Sequence, residues 1–256
     1  MTHLLELKNV DKRFNPHTPD EFYALDDLNL TIEGGDFITI IGGNGAGKST
    51  LLNAIAGTFD LDAGQILLEG EDITDTSDIE RAAYISRVFQ DPKMGTAPRM
   101  TVEENLALAE KRGQTRGLQL ALDQDKQSKY QALLKQLGLG LDERLEAEIG
   151  LLSGGQRQSV ALLMATIVKP KLLLLDEHTA ALDPKTSRRI LEITAQQVSQ
   201  ENLTALMITH NLQDALTYGN RMILMDRGHI IRDFSQAEKE ALNPTQLYSL
   251  MEEINQ

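Results

Sequence analysis

Residues 42–50, Gly-Gly-Asn-Gly-Ala-Gly-Lys-Ser-Thr, place four glycines, a lysine and two hydroxyls within nine positions. The spacing Gly42, Gly47, Lys48, Ser49 fits a phosphate-binding loop, and an apolar strand precedes it while a helix pattern follows. Glycines allow successive N–H groups to curl around phosphate oxygens. The start of the following helix turns its positive end toward the same anion. Lys48 is suited to the β- and γ-phosphates and the Ser49 hydroxyl to a magnesium ion. Gly43, Asn44, Gly45, Ala46 and Thr50 complete the cradle. A plain glycine-rich turn is the weaker reading, because motif and context agree.

Other residues belong to the same chemistry. Leu172–Glu177 reads LLLLDE, a buried strand ending in two carboxylates. Ligands of parallel sheets sit at the carboxyl ends of strands. Asp176 is therefore expected to hold the metal and Glu177 to polarise an attacking water. A second apolar run, LTALMITH, ends in His210, expected to touch the γ-phosphate. Gln90 is expected to end the short strand RVFQ and to reach the metal or its water. Lys48, Gln90, Glu177 and His210 form the expected catalytic set, and Ser49, Gln90 and Asp176 the metal set. The N-K-x-D element that reads guanine is absent, so ATP is preferred. Phe14 or Tyr23 could stack on its base. Each is equally explained as packing.

These residues need a frame. The first third reads as strands with tight turns, through a strand at 37–41, the glycine loop, and a helix stopped by Gly57. From Thr101, which with Glu104 makes a capping-box pattern, the chain turns helical. After Ser153 it alternates: helix 154–168, strand 171–176, helix 184–200, strand 203–209, helix 211–218, strand 221–226. That is the rhythm of a parallel sheet with crossover helices. Two short helices close the chain. The expected organisation is one α/β ATPase domain over 1–256. Its parts are a β-rich and P-loop part at 1–92, a helical subdomain at 93–152, the rest of the core at 153–233 and C-terminal helices at 234–256. The 256 residues include no cysteine, so disulfides and thiolate metal sites are excluded. A net charge of −13 argues against nucleic acid as a partner. The N-terminus lacks a signal-peptide layout. The longest apolar stretch, 160–168, is too short to cross a bilayer, which takes about 20 residues.

One stretch remains, Leu152–Gln156, LSGGQ. Ser153, Gly154 and Gly155 offer donors at a helix start, a ready anion site. Simple serine capping leaves the second glycine unexplained, and glycine costs helix stability. In order, the chain has GGNGAGKST, FQDP, LSGGQ, LLLLDE, AALD and TH. In this it resembles the nucleotide-binding subunits of ATP-binding cassette (ABC) transporters along nearly its whole length.

The resemblance implies a P-loop ABC ATPase fold: a mostly parallel sheet core, an N-terminal antiparallel β subdomain and a helical subdomain. It implies that Ser153, Gly154, Gly155 and Gln156 face the P-loop of a second ABC ATPase subunit, a homodimer, with ATP and Mg2+ between the two. Asp183, in AALDPKT, would lie at that interface, and is also a helix N-cap ahead of Pro184. Partner permease subunits in the membrane, with a peripheral cytoplasmic location for this chain, are further implications. Within the family, FQDP, LSGGQRQ and DEHTAALDP resemble bacterial tryptophan/tyrosine-type importers with a substrate-binding lipoprotein. The family's usual proline after the carboxylate pair is His178 here, read as a loop histidine near the interface. A soluble assembly ATPase of the iron–sulfur scaffold type is the alternative.

Overall fold

The computed structural model describes residues 3–114 and 124–254. The chain opens with β1 (Leu5–Phe14) and β2 (Phe22–Ile32), paired antiparallel with Leu5 opposite Ile32 and Leu7 opposite Leu30. Leu5, Leu7, Leu28, Leu30 and Ile32 are buried, the one-sided pattern of a half-covered sheet. β3 (Phe37–Gly42) is buried at all six positions, and α1 (Lys48–Ala56) follows the glycine loop. β4 (Ala63–Leu68) and β5 (Glu71–Asp72) complete an antiparallel sheet of order β2-β1-β4-β5. After the single turn α2 (Asp78–Arg81) come β6 (Ile85–Val88), α3 (Val102–Glu110), α4 (Gln124–Leu137) and α5 (Gly154–Thr166). Then follow β7 (Leu172–Asp176), α6 (Pro184–Gln200), β8 (Thr204–Ile208), α7 (Leu212–Thr217) and β9 (Arg221–Asp226). β10 (His229–Phe234), α8 (Gln236–Glu240) and α9 (Pro244–Ile254) end the described chain.

The chain divides into two compact units, Met1–Arg81 with Leu203–Gln256, and Ala82–Asn202. In the first unit β3 lies between β8 and β9, parallel to both, while β10 runs antiparallel to β9. Ile41, Met222, Leu224 and Phe234 pack with Ala215 of α7 and Leu247 of α9 into one apolar cluster. Arg81 is 2% exposed yet cationic. It donates to the carbonyls of Ala54 (2.8 Å) and Ile55 (3.0 Å) at the end of α1. It also reaches those of Ile73 (2.5 Å) and Thr74 (2.8 Å), and the Thr76 hydroxyl (3.0 Å). The carbonyls left over at a helix end thus find donors, and the cation meets the negative end of the helix dipole.

In the second unit β6 and β7 pair parallel, Arg87 beside Leu174 and Val88 beside Leu175. The first four residues of β7, Leu172–Leu175, are fully buried, as a strand covered on both faces requires. α5 packs on β6, and α3, α4 and α6 pack on α5. The Thr101–Glu104 capping box that starts α3 is formed.

Several pattern-based boundaries move. β6 stops at Val88, so Gln90 follows the strand instead of ending it. β8 stops at Ile208, two residues before His210. β10 was not anticipated: four of its six residues are exposed, so its hydropathy hardly alternates. Residues 115–123 of the expected helical stretch, and Asn255 and Gln256 of the last helix, lie outside the described residues.

Candidate functional site

The first unit carries the glycine loop. β3 delivers it at the strand's carboxyl end, between β8 and β9. Gly47 caps α1 at φ 95°, and a Cβ there would fall 2.3 Å from the Ala24 carbonyl oxygen, so only glycine fits. Lys48 is buried, and its ammonium donates to the carbonyls of Gly42 (2.9 Å) and Gly43 (2.8 Å). The lysine and the loop glycines are therefore brought together. Ala46 is buried beneath the loop, whereas Asn44, Gly45 and Ser49 are exposed and Thr50 is half-buried. A side chain caps the start of each of α3, α5, α6, α7 and α8; none caps α1. The α1 terminus thus keeps its N–H dipoles for an external anion.

His210 is exposed, just ahead of Asn211, which caps α7 through the backbone N–H groups of Gln213 and Asp214. Phe14 sits in an aromatic cluster, 5.7 Å from Phe22 and 5.9 Å edge-on to Phe59, with the Lys12 ammonium 4.9 Å from the Phe59 ring. The neighbouring rings of Phe22 and Tyr23 are about half exposed. Phe22 was not among the sequence candidates, although it adjoins Tyr23.

The second unit carries the carboxylates and the LSGGQ stretch. Asp176 ends β7 and is held by Arg87, whose Nη2 donates to its Oδ2 at 2.5 Å. Sequence reasoning missed this partner. An arginine in a four-residue strand that begins and ends with Ile85 and Val88 was the available signal. Glu177 follows at φ 46°, a left-handed conformation uncommon for a side-chain-bearing residue. Gln90 is exposed, next to Phe89, whose carbonyl accepts from Gln158 Nε2 of α5 at 3.2 Å.

Ser153 caps α5: its hydroxyl accepts from Gln156 N–H (3.3 Å) and its own N–H donates to Gln156 Oε1 (3.2 Å). Gly155 has a packing reason the sequence did not reveal. A Cβ there would lie 2.2 Å from Thr186 Cγ2 on α6. Asp183 accepts from the N–H groups of Lys185 and Thr186, both at 3.1 Å, so the N-cap reading holds. Its hydrogen bonds to Thr186 hold the carboxyl below its usual range.

His178 lies in the turn that follows β7, as a loop residue, but it is buried, only 2% exposed. Its Nε2 lies 3.1 Å from Thr194 Oγ1. That hydroxyl gives its proton to the Ile190 carbonyl at 2.8 Å, so His178 must donate through Nε2–H. Burial pushes its pKa down to about 4, leaving the ring neutral.

A buried strand feeding a glycine loop, and a helix start left open for an anion, define a P-loop nucleotide-binding protein. The family model for ABC transporters matches residues 25–180. The tyrosine transport ATP-binding protein of Clostridioides difficile is 45% identical over 97% of this chain and 99% of its own. The spermidine/putrescine import ATP-binding protein of Haemophilus influenzae is 34% identical over 92% of this chain, which spans 59% of that longer relative. A dimeric ATP-binding cassette solved with ADP and phosphate aligns with a TM-score of 0.77 at 30% identity, covering 91% of this chain and 98% of the other. The chain belongs to the ABC transporter family. It has that family's cassette fold and is an ATP-binding subunit with ATPase activity.

Proposed function

We propose that the chain powers a bacterial importer of a small, amino acid-like solute. The observation that carries this reading is the end-to-end likeness to a tyrosine transport ATP-binding protein, 97% of one chain against 99% of the other. Two copies close over two ATP molecules, each P-loop facing the partner's Ser153–Gln156 stretch. The cassette solved as a dimer with ADP and phosphate supports the pairing. The subunit lies on the cytoplasmic face of the membrane, bound to permease subunits and serving a lipoprotein receptor outside. Among the described residues no helix is long and apolar enough to cross a membrane. The helical part, 93–152, receives a cytoplasmic segment of the permease beside Gln90.

The Asp176 carboxylate and the Ser49 hydroxyl are each hard oxygen donors of the kind magnesium takes, and both would help hold an ion brought in with the nucleotide. Gln90 offers an amide oxygen. When bound, the ion neutralises charge on the β- and γ-phosphates. Lys48 leaves the Gly42 and Gly43 carbonyls for the phosphates, and Phe14 takes the base. Glu177 accepts a proton as water attacks the γ-phosphorus and ADP departs. His210 donates to a γ-phosphate oxygen. Asp183 borders the second site.

The test is a pull-down from detergent-solubilised cells with the Glu177→Gln form and MgATP. A multi-span membrane protein recovered at equal stoichiometry supports the reading. Recovery of soluble proteins alone sinks it in favour of an assembly ATPase.

A further inference from the structure

The Asp176 carboxylate already has a cation beside it. Arg87 and Leu174 are register partners on β6 and β7, so Arg87 leans along the strands toward Asp176, two residues further on. The two side chains are only 15% and 14% exposed, and the 2.5 Å contact is a charge-assisted hydrogen bond in a poorly hydrated place. The guanidinium carbon also sits 4.8 Å from the centre of the Phe89 ring. Phe89 is tied through its carbonyl to Gln158 of α5, and Gln90 comes next in the chain. One arginine thus touches both the carboxylate and the segment that leads to Gln90 and to the LSGGQ helix.

We propose that Arg87 is a positioning residue that holds Asp176 in place of a divalent cation. This rests on the MgATP reading above. Two cations compete for one carboxylate. Arg87 must give Asp176 up when nucleotide and its metal bind, while its guanidinium keeps its contact with the Phe89 ring. The charge of Asp176 is never left bare, which avoids the cost of an unpaired, poorly solvated carboxylate. The exchange also makes the setting of Phe89 and Gln90 depend on whether the metal is in place.

The experiment measures binding of a fluorescent ATP analogue as Mg2+ is titrated, in the Glu177→Gln background, so that hydrolysis plays no part. Arg87→Met keeps the length and aliphatic bulk but removes the competitor. A charge-assisted hydrogen bond of the usual strength predicts that the Mg2+ half-point falls about fivefold or more. Arg87→Lys restores the charge and should stay within about twofold of Arg87. In EDTA, Arg87→Met should lower the urea midpoint, and MgATP should restore it. With Asp176→Asn also present, the Met substitution should leave the half-point where it is. A half-point that Arg87→Met leaves unchanged or raises overturns the proposal. So does an equal fall in the absence of the Asp176 carboxylate. Failure of the Arg87-intact protein to bind MgATP would instead overturn the proposed function.

Discussion

Gly155 offers the sharpest test of how this cassette is built. Its α-carbon faces Thr186 at the start of α6, and a methyl added there would stand 2.2 Å from Thr186 Cγ2. That is far inside van der Waals contact. The Thr186 backbone cannot retreat freely, because its N–H is tied to Asp183 Oδ1 at 3.1 Å. Gly155→Ala should therefore strain the junction of α5 and α6. Overpacking of this kind costs about 1–3 kcal/mol, and the better helix propensity of alanine returns at most about 1. The net loss should be about 1–2 kcal/mol, read as a drop in the urea midpoint. Thr186→Ser deletes the opposing methyl and keeps the hydroxyl. The double variant should come back to within about 0.5 kcal/mol of Thr186→Ser alone, a coupling of at least about 1 kcal/mol. A Gly155→Ala protein as stable as its parent would refute the packing argument, as would a double variant no better than the single. In that event the second glycine would answer only to what docks on the α5 terminus.

Three further outcomes can be checked. Glu177→Gln should keep nucleotide binding, slow hydrolysis by about 10²–10⁴-fold, and yield an ATP-bound dimer by sedimentation. His178 ties stability to pH. It is neutral in the fold down to about pH 4, while the unfolded chain takes up the proton near pH 6.5. Its contribution is complete above pH 6.5 and is lost as pH falls toward 4, by at most about 3 kcal/mol. Denaturation curves across that range should slope less for His178→Gln. Arg81→Met would remove a donor from three buried carbonyls and one partly buried one, and should cost at least about 3 kcal/mol in urea denaturation, with Arg81→Lys recovering only part.

The glycine loop, the strand before it and the helix after it were legible because each rests on local rules: a buried apolar run, glycine at left-handed positions, a helix stopped at Gly57. The caps at Thr101, Ser153 and Asp183 were legible for the same reason. What escaped is non-local. Arg87 meets Asp176 across a strand pair 89 residues apart in sequence, and a register cannot be read from either segment alone. His178 was legible as a loop residue, but its burial and its contact with Thr194, 16 positions further on, were not. Gly155 looked surplus because Thr186 is 31 positions away. β10 was missed because a mostly exposed strand leaves little hydrophobic pattern.

The non-local contacts have something in common. Asp176, Glu177 and His178 are consecutive, yet each is held differently. Asp176 is fixed by a cation on the neighbouring strand, Glu177 by a left-handed turn, and His178 by a buried hydroxyl. Four buried leucines in front of them pin the end of β7. The turn at Glu177 is closed by Ala180 N–H on its carbonyl at 2.9 Å. A glutamate at φ 46° is a mild expense in stability that asparagine or glycine would reduce. Local preference therefore does not explain glutamate here. The general-base role proposed above would, because it calls for a carboxylate at the strand end between two anchored neighbours. His178 then has a plain purpose despite its lack of chemistry. Anchored to α6 and kept neutral, it holds one side of the turn without adding a charge beside the carboxylates.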